Sequence, residues 1–270
     1  MMNHMEPLTP GNGRVKDARK LSRRSVRSER RLFLADGPKA VQGALGVDGC
    51  VVEVFATPAA LEQYHHLLAG AGTVTLVDDR ALATLSDSVT PAGVVAVCRH
   101  LDLPLDQVVR PTSRLLVICA DVRDPGNAGT VIRTADAVGA DGVVLAGSSV
   151  DVYNPKTVRA SVGSLFHLPV ALCPEPGAAV AAARQHGITV LAADAAGEVD
   201  LFDADLSGPS AWLFGNEAWG LPPELAESAD ARVAIPIHGR AESLNLSTAA
   251  AVCLYASARE QRASADPRHG

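Results

Sequence analysis

Aromatic side chains are scarce in this chain: two Trp, three Tyr and five Phe among 270 residues, or 4%. A core without them has to be filled by Ala, Val and Leu, which the apolar share of 47% provides and which suits an α/β protein. Cysteines are also few. Cys50, Cys98, Cys119, Cys173 and Cys253 are odd in number, widely spaced and mostly inside apolar runs. They read as reduced core thiols of a cytoplasmic protein, not as a disulfide framework. No CxxC or HExxH occurs, and His65-His66 join no recognisable ligand set, so no metal site is expected. No apolar stretch reaches the roughly 18–20 residues of a membrane helix, and the first residues lack the apolar region of a signal peptide, so a soluble protein is expected.

The phosphate-binding loop GxxxxGK[ST] is missing as well. A strand, Gly-containing turn and helix over 121–140 would suit a nucleotide-dependent oxidoreductase, but Pro125-Gly126-Asn127-Ala128-Gly129 lacks the GxGxxG spacing.

The net charge of −6 is unevenly distributed. Residues 14–31 hold nine cations (Arg14, Lys16, Arg19, Lys20, Arg23, Arg24, Arg27, Arg30 and Arg31) against Asp17 and Glu29, a local +7. The remainder carries −13. A basic segment on an acidic body is a polarised molecule. Arg19, Arg23 and Arg27 recur every four residues, so a helix over 16–31 would align them as a stripe able to follow a phosphate backbone. A solvated helix face has the same pattern.

Hydrophobic patterning divides the chain into segments 14–100 and 114–262, with a linker at 101–113 marked by Pro104 and Pro111, and disordered tails at 1–13 and 263–270. In the first segment, strands at 32–35, 50–56, 74–77 and 93–98 alternate with helices at 16–31, 38–46 and 58–70. The second opens with Arg114-Leu115-Leu116-Val117-Ile118-Cys119-Ala120, apolar enough for a strand covered on both faces. Helices at 127–138, 155–164, 176–186 and 243–261 alternate with further strands at 142–146, 168–172, 188–193, 211–214 and 232–235. That alternation predicts a mostly parallel sheet.

Three blocks join an apolar run to a turn rich in Gly, Asn or Ser: Asp124-Pro125-Gly126-Asn127-Ala128-Gly129-Thr130 with Arg133 behind it, Leu213-Phe214-Gly215-Asn216-Glu217-Ala218-Trp219-Gly220-Leu221, and Ile235-Pro236 followed by Ser243-Leu244-Asn245-Leu246-Ser247. All three fall just after expected strand ends, where open parallel sheets bind ligands. In this order they resemble the three motifs of the SpoU family of RNA ribose 2'-O-methyltransferases. The resemblance is strong over 114–262. It continues more weakly over 14–100, where Val15-Lys16, Lys20-Leu21 and Leu32-Phe33-Leu34-Ala35-Asp36-Gly37 look like the family's amino-terminal RNA-binding domain. Ala218 stands where many relatives carry Gly, and Asp36-Gly37 where Glu-Gly is usual.

The resemblance implies a small α/β RNA-binding domain of the ribosomal-protein L30e type and a carboxy-terminal domain with a trefoil knot, the SPOUT fold. It implies S-adenosylmethionine as cofactor, a homodimer packed through the last helix, and RNA as partner, ribosomal RNA favoured over transfer RNA. Carried over position by position, Gly215, Ile235 and Leu244 contact the cofactor, and Arg133, Asn127, Glu217, Ser243 and Asn245 form the catalytic set. Arg133 would activate the 2'-hydroxyl electrostatically, because a guanidinium stays charged at any ordinary pH. Asn127 and Ser243 are also residue types that cap helices. Lys156 and Arg159, in Asn154-Pro155-Lys156-Thr157-Val158-Arg159-Ala160, join Arg19, Arg23 and Arg27 as candidate RNA contacts. A non-catalytic RNA-binding protein would share the basic segment, but would not need Arg133 or Ser243-Leu244-Asn245.

Overall fold

The computed structural model describes residues 6–265. They form two compact units, one made of the residues up to Leu101 with Asp151–His167, the other of Asp102–Val150 with the residues from Leu168 onward.

The first unit is built on a four-stranded sheet of β1 (Leu32–Asp36), β2 (Val51–Ala56), β3 (Val74–Leu76) and β4 (Val94–Arg99), in the order β1-β4-β2-β3. β4 is antiparallel to both neighbours, whereas β2 and β3 are parallel. Its Val94-Val95-Ala96-Val97-Cys98 run is buried throughout, as a central strand covered on both faces requires. Val15 and Leu21 from the basic segment pack on one face with Phe55, Leu82, Val95 and Val97.

The basic segment is not the single helix expected over 16–31. It forms a helix at Gly13–Arg19, a 3-10 turn at Lys20–Ser22 and a second helix at Arg24–Arg30, with Arg23 extended at φ −90° and ψ 129°. The break lets Leu21 turn into the core, and it ends the Arg19, Arg23, Arg27 stripe. Arg19 and Arg23 stay exposed. Arg27 is 2% exposed. Its Nε and Nη2 both donate to Asp151 Oδ2, at 2.9 and 2.6 Å, and its Nη1 donates to the carbonyls of Leu21 and Ser22 at 2.9 and 2.8 Å. Arg27 is thus a buried structural ion pair with almost no surface left for an RNA phosphate.

That pair also lies within the first unit, which takes in a later stretch of the chain. Asp151–His167 belongs to the first unit, where Tyr153 lies against Phe33 and His100 and Phe166 against Phe33. Lys156 and Arg159 therefore sit on a helix of that unit, Pro155–Ser161, which stops three residues short of the expected end because Val162 adopts φ 52°. The expected linker at 101–113 belongs from Asp102 onward to the second unit: Leu103 bridges to Ala171, and Val108 and Val109 are fully buried in the core. The expected helix over 58–70 is split at Tyr64 into Pro58–Gln63 and His65–Leu68.

The second unit is a seven-stranded sheet, parallel at every pairing, of β5 (Leu115–Ala120), β6 (Gly142–Ala146), β7 (Val170–Cys173), β8 (Thr189–Ala193), β9 (Val199–Asp200), β10 (Ser210–Phe214) and β11 (Ala231–Ala234). The order is β7-β6-β5-β10-β8-β11-β9. The two-residue β9 carries too little pattern to show in the sequence. β10 enters between β5 and β8, two strands laid down before it, pairing Phe214 with Cys119 and Leu213 with Ala192. β5, β6 and β10 are buried at every position, as their continuous apolar runs predict. The helix Leu246–Ala265 packs on the helix Pro125–Val138 and on β10, where Trp212 Nε1 donates to Ser257 Oγ at 2.8 Å.

All five cysteines are free and buried. Burial pushes the thiols of Cys119 and Cys253 up to about 12. Among the described residues no helix is long and apolar enough to cross a membrane. The expected tails lie partly outside the described residues. Their described parts are ordered: Leu8 bridges to Val77, Asn12 Oδ1 accepts from the Arg14 N–H, and residues 263–265 continue the last helix.

Arg27→Ala leaves the largely covered Asp151 carboxylate without its partner and is expected to cost about 3 kcal/mol. Arg19→Ala and Arg23→Ala, both at the surface, should each stay within about 0.5 kcal/mol. Urea unfolding of the three variants checks this, and equally small losses would contradict the buried pair.

Candidate active site

β5 ends at Ala120 and the chain leaves it through Asp121, left-handed at φ 56°. Asp is among the few residue types that visit this conformation, and here its side chain is also held by a distant turn, Asp121 Oδ1 accepting from the Ser148 N–H at 2.7 Å. Asp124 then caps the helix Pro125–Val138, its Oδ1 accepting from the Asn127 N–H at 2.8 Å. The cap is thus Asp124, not Asn127, and the helix begins two residues before the expected start, with Pro125 preset for its first turn. Asn127 is left free to use its side chain elsewhere.

β10 ends in a turn that closes on itself. Asn216 and Gly220 exchange two backbone hydrogen bonds of 2.9 Å, and Asn216 Oδ1 accepts from the Ala218 N–H at 2.8 Å. Gly215 has no alternative here. A methyl group on it would collide with the Gly220–Leu221 peptide, so its first function is to let the turn fold back.

This turn is pinned to the end of β5. Asn216 is 6% exposed, and its Nδ2 donates to the Asp121 carbonyl at 2.8 Å. The Glu217 carboxylate accepts from the Arg123 N–H at 3.0 Å, the Asp124 N–H at 2.9 Å and Asn127 Nδ2 at 3.2 Å. Partial burial pushes this carboxyl up, but the donations from the Arg123 and Asp124 amides, its own amide and Asn127 outweigh it and hold Glu217 below the usual carboxylate range. Glu217 is therefore an ionised anchor and a poor proton acceptor at neutral pH. Asn127 Oδ1 in turn accepts from Asn245 Nδ2 at 3.1 Å. Asn127, Glu217 and Asn245 thus meet in one hydrogen-bonded chain.

Asn245, not Ser243, caps the last helix, which begins at Leu246. Asn245 Oδ1 accepts from the Ser247 and Thr248 N–H groups at 2.9 and 3.3 Å. Ser243 lies before the helix in the irregular stretch after β11.

A cavity of about 280 Å³ opens at the carboxyl ends of β8, β10 and β11. Gly215, Asn216, Glu217 and Ala218 form one side, Ile235, Ile237, Ser243 and Leu244 another, and Ala193, Asp194 and Ala195 a third. The three cofactor positions named from the sequence all line it, as do Glu217 and Ser243. Asn216 and the 193–195 wall were missed. The signal for the wall was the turn Asp194-Ala195-Ala196-Gly197 at the end of a predicted strand.

Arg133 is not brought to this cavity. It lies exposed in the third turn of Pro125–Val138, about 9 Å along the axis from Asn127 and on another face. Among the described residues no group of three His, Cys, Asp or Glu is placed to hold a metal ion.

Residues 114–255 match the model of the SpoU rRNA Methylase family. The chain belongs to this family. Residues 12–96 match the MRM3-like substrate binding domain, so the first unit contains an amino-terminal substrate-binding domain. Among similar SpoU proteins, the 23S rRNA (guanosine(2553)-2'-O)-methyltransferase RlmP of Bacillus subtilis is 34% identical over 249 residues, 90% of this chain and 95% of that one. The AdoMet-bound rRNA methyltransferase from Sinorhizobium meliloti superposes with a TM-score of 0.84 at 37% identity, over 94% of this chain and 97% of that one. The SpoU methyltransferase AviRb from Streptomyces viridochromogenes, in complex with AdoMet, gives 0.84 at 33% identity over 94% and 99%.

Replacing Glu217 by Gln puts an amide donor where the carboxylate accepts, which should cost about 1–2 kcal/mol at pH 7 after discounting for its partial exposure to solvent. Because the folded-state pKa is depressed, this stability is complete above the ordinary value near 4.5 and is lost as pH falls through the folded value. Urea unfolding should therefore show a constant gap between wild type and Glu217→Gln from pH 7 to 5 that shrinks below about 4.5. A gap unchanged at pH 3 would contradict the anchor.

Proposed function

We propose that this chain is an S-adenosylmethionine-dependent RNA ribose 2'-O-methyltransferase that acts on 23S ribosomal RNA in the cytoplasm as a homodimer. The observation that carries this reading is the convergence of the second and third motif turns on one cavity at the ends of parallel strands, with the first motif bonded to both through Asn127. The lining suits the cofactor: Leu244, Ile235 and Val233 offer apolar walls for an adenine ring, while the turns at 193–195 and 215–218 present backbone groups and Asp194 a carboxylate. We also infer that the irregular stretch between β11 and the last helix belongs to a trefoil knot and that the first unit is of the L30e type. Both readings rest on the family resemblance.

When bound, S-adenosylmethionine supplies a methyl group already activated by its sulfonium. The chain's task is then positioning and electrostatics. The closed turn at 215–220 holds the cavity open without a side chain at Gly215. Asn127, held by the Glu217 carboxylate, and Asn245, held by Asn127, tie the first motif to the other two. We assign to Arg133, which lies outside the cavity of its own chain, the binding of an RNA phosphate and the steadying of the charge developing on the ribose oxygen, within one chain or across a homodimer; this role rests on the family resemblance. Arg19 and Arg23 with Lys156 and Arg159 supply the cations of the substrate-binding unit. Among the described residues Arg159 meets Asp87 through a long, exposed 3.4 Å contact, which a phosphate can displace.

Calorimetric titration with S-adenosylmethionine in a metal chelator should show binding by the wild type and by Arg133→Ala. Arg133→Ala and Arg133→Lys should each lose on the order of 10²-fold in turnover on ribosomal RNA, because Lys keeps the charge but not the planar fork. Mapping of ribose methylation in 23S RNA from cells lacking the gene should reveal one missing methyl group. An unchanged methylation map would refute the ribosomal target, and stabilisation by NAD in place of S-adenosylmethionine would refute the activity.

A further inference from the structure

The chain has two tryptophans, and they are used in opposite ways. Trp212 is fully buried in β10 with its indole N–H satisfied by Ser257. Trp219 is 62% exposed, although an indole left in water forgoes one of the largest apolar burials a side chain offers. Its mounting is rigid. It projects from the turn that Asn216 and Gly220 close with paired backbone bonds and that Asn216 and Glu217 bond to residues 121–127. Its chain neighbours Ala218 and Gly220 line the cavity, whereas the Trp219 side chain itself is outside the lining and open to solvent on the same turn.

We propose that Trp219 is a positioning residue for the RNA, whose indole stacks on an unpaired nucleobase at or next to the nucleotide being modified. This rests on the reading of the site as a ribose methyltransferase. Methylation requires the 2'-hydroxyl to reach into the cavity, and the ribose itself offers little apolar surface by which to be held. The base of that nucleotide or its neighbour does, once it is splayed from its stack, as bases in single-stranded loops are. Stacking on an aromatic ring needs no hydrogen-bond code and accepts any base. A ring fixed in advance spends little entropy on binding. Flexible lysines or arginines would hold phosphates, but only a flat apolar surface at this position registers the base and with it the ribose.

The two tryptophans make the test direct, because only Trp219 is open to the solvent. Wild-type emission should be quenched by acrylamide, and by short unstructured oligouridylate and oligoadenylate alike. Trp219→Phe, which retains only Trp212, should respond to neither. With protein-free ribosomal RNA from cells lacking the gene as substrate, Trp219→Ala should raise the KM for RNA roughly 5- to 150-fold, the equivalent of ~1–3 kcal/mol per stacked base. The affinity for S-adenosylmethionine should stay unchanged, and Trp219→Phe should recover most of the loss. An unchanged KM in Trp219→Ala would overturn the proposal while leaving the methyltransferase reading intact. So would Trp219 emission that ignores RNA but shifts with protein concentration, since that would assign the indole to a second copy of the chain. If the wild type transferred no methyl group, the methyltransferase reading would fail, and the oligonucleotide quenching would still decide whether the indole stacks on a base.

Discussion

The second motif turn works only because it is tied to the first. Asn216 and Glu217 reach from the end of β10 to the end of β5, and between them they occupy the Asp121 carbonyl, the Arg123 and Asp124 amides and the Asn127 side chain. Backbone groups at a strand-to-helix turn must find partners. Here a neighbouring turn provides them, so one set of bonds completes the helix entry and fixes the cavity wall. The charge on Glu217 strengthens each bond it accepts, and those same bonds keep it ionised.

The sheet order makes this tie possible. Inserting β10 between β5 and β8 brings two turns far apart in the chain side by side, and setting β11 beyond β8 places the third motif across the opening. The apolar runs of β5 and β10 contribute burial on both faces, which supports a site whose own turn residues are largely polar and half in water. The last helix closes the arrangement, since its Asn245 cap also bonds to Asn127.

Much of the second unit was legible from the sequence. Continuous apolar runs mark β5, β6 and β10, and the turn residues after them mark the site, because strand ends and ligand loops need Gly, Asn and Ser for backbone reasons that show in the residue type. What was not legible depended on contacts between distant residues. The four-residue spacing of Arg19, Arg23 and Arg27 describes a stripe only if the helix is unbroken, and nothing local predicts that Leu21 turns inward or that Asp151, 124 positions from Arg27, receives its guanidinium. The placement of Asp151–His167 in the first unit escaped for the same reason. Asn216 was passed over beside Glu217, since a buried amide that bridges two turns looks in sequence like any turn Asn.

The tie between the two turns is tested most directly by calorimetric titration of Asn216→Ala with S-adenosylmethionine. Removing this side chain deletes the bonds to the Asp121 carbonyl and the Ala218 amide without touching the apolar walls. The expected result is a loss of affinity of tenfold or more, equivalent to the roughly 1.4 kcal/mol of a hydrogen bond or two, with a cooperative unfolding transition retained. Wild-type affinity in Asn216→Ala would contradict the account, because the cavity would then hold its shape without the tie.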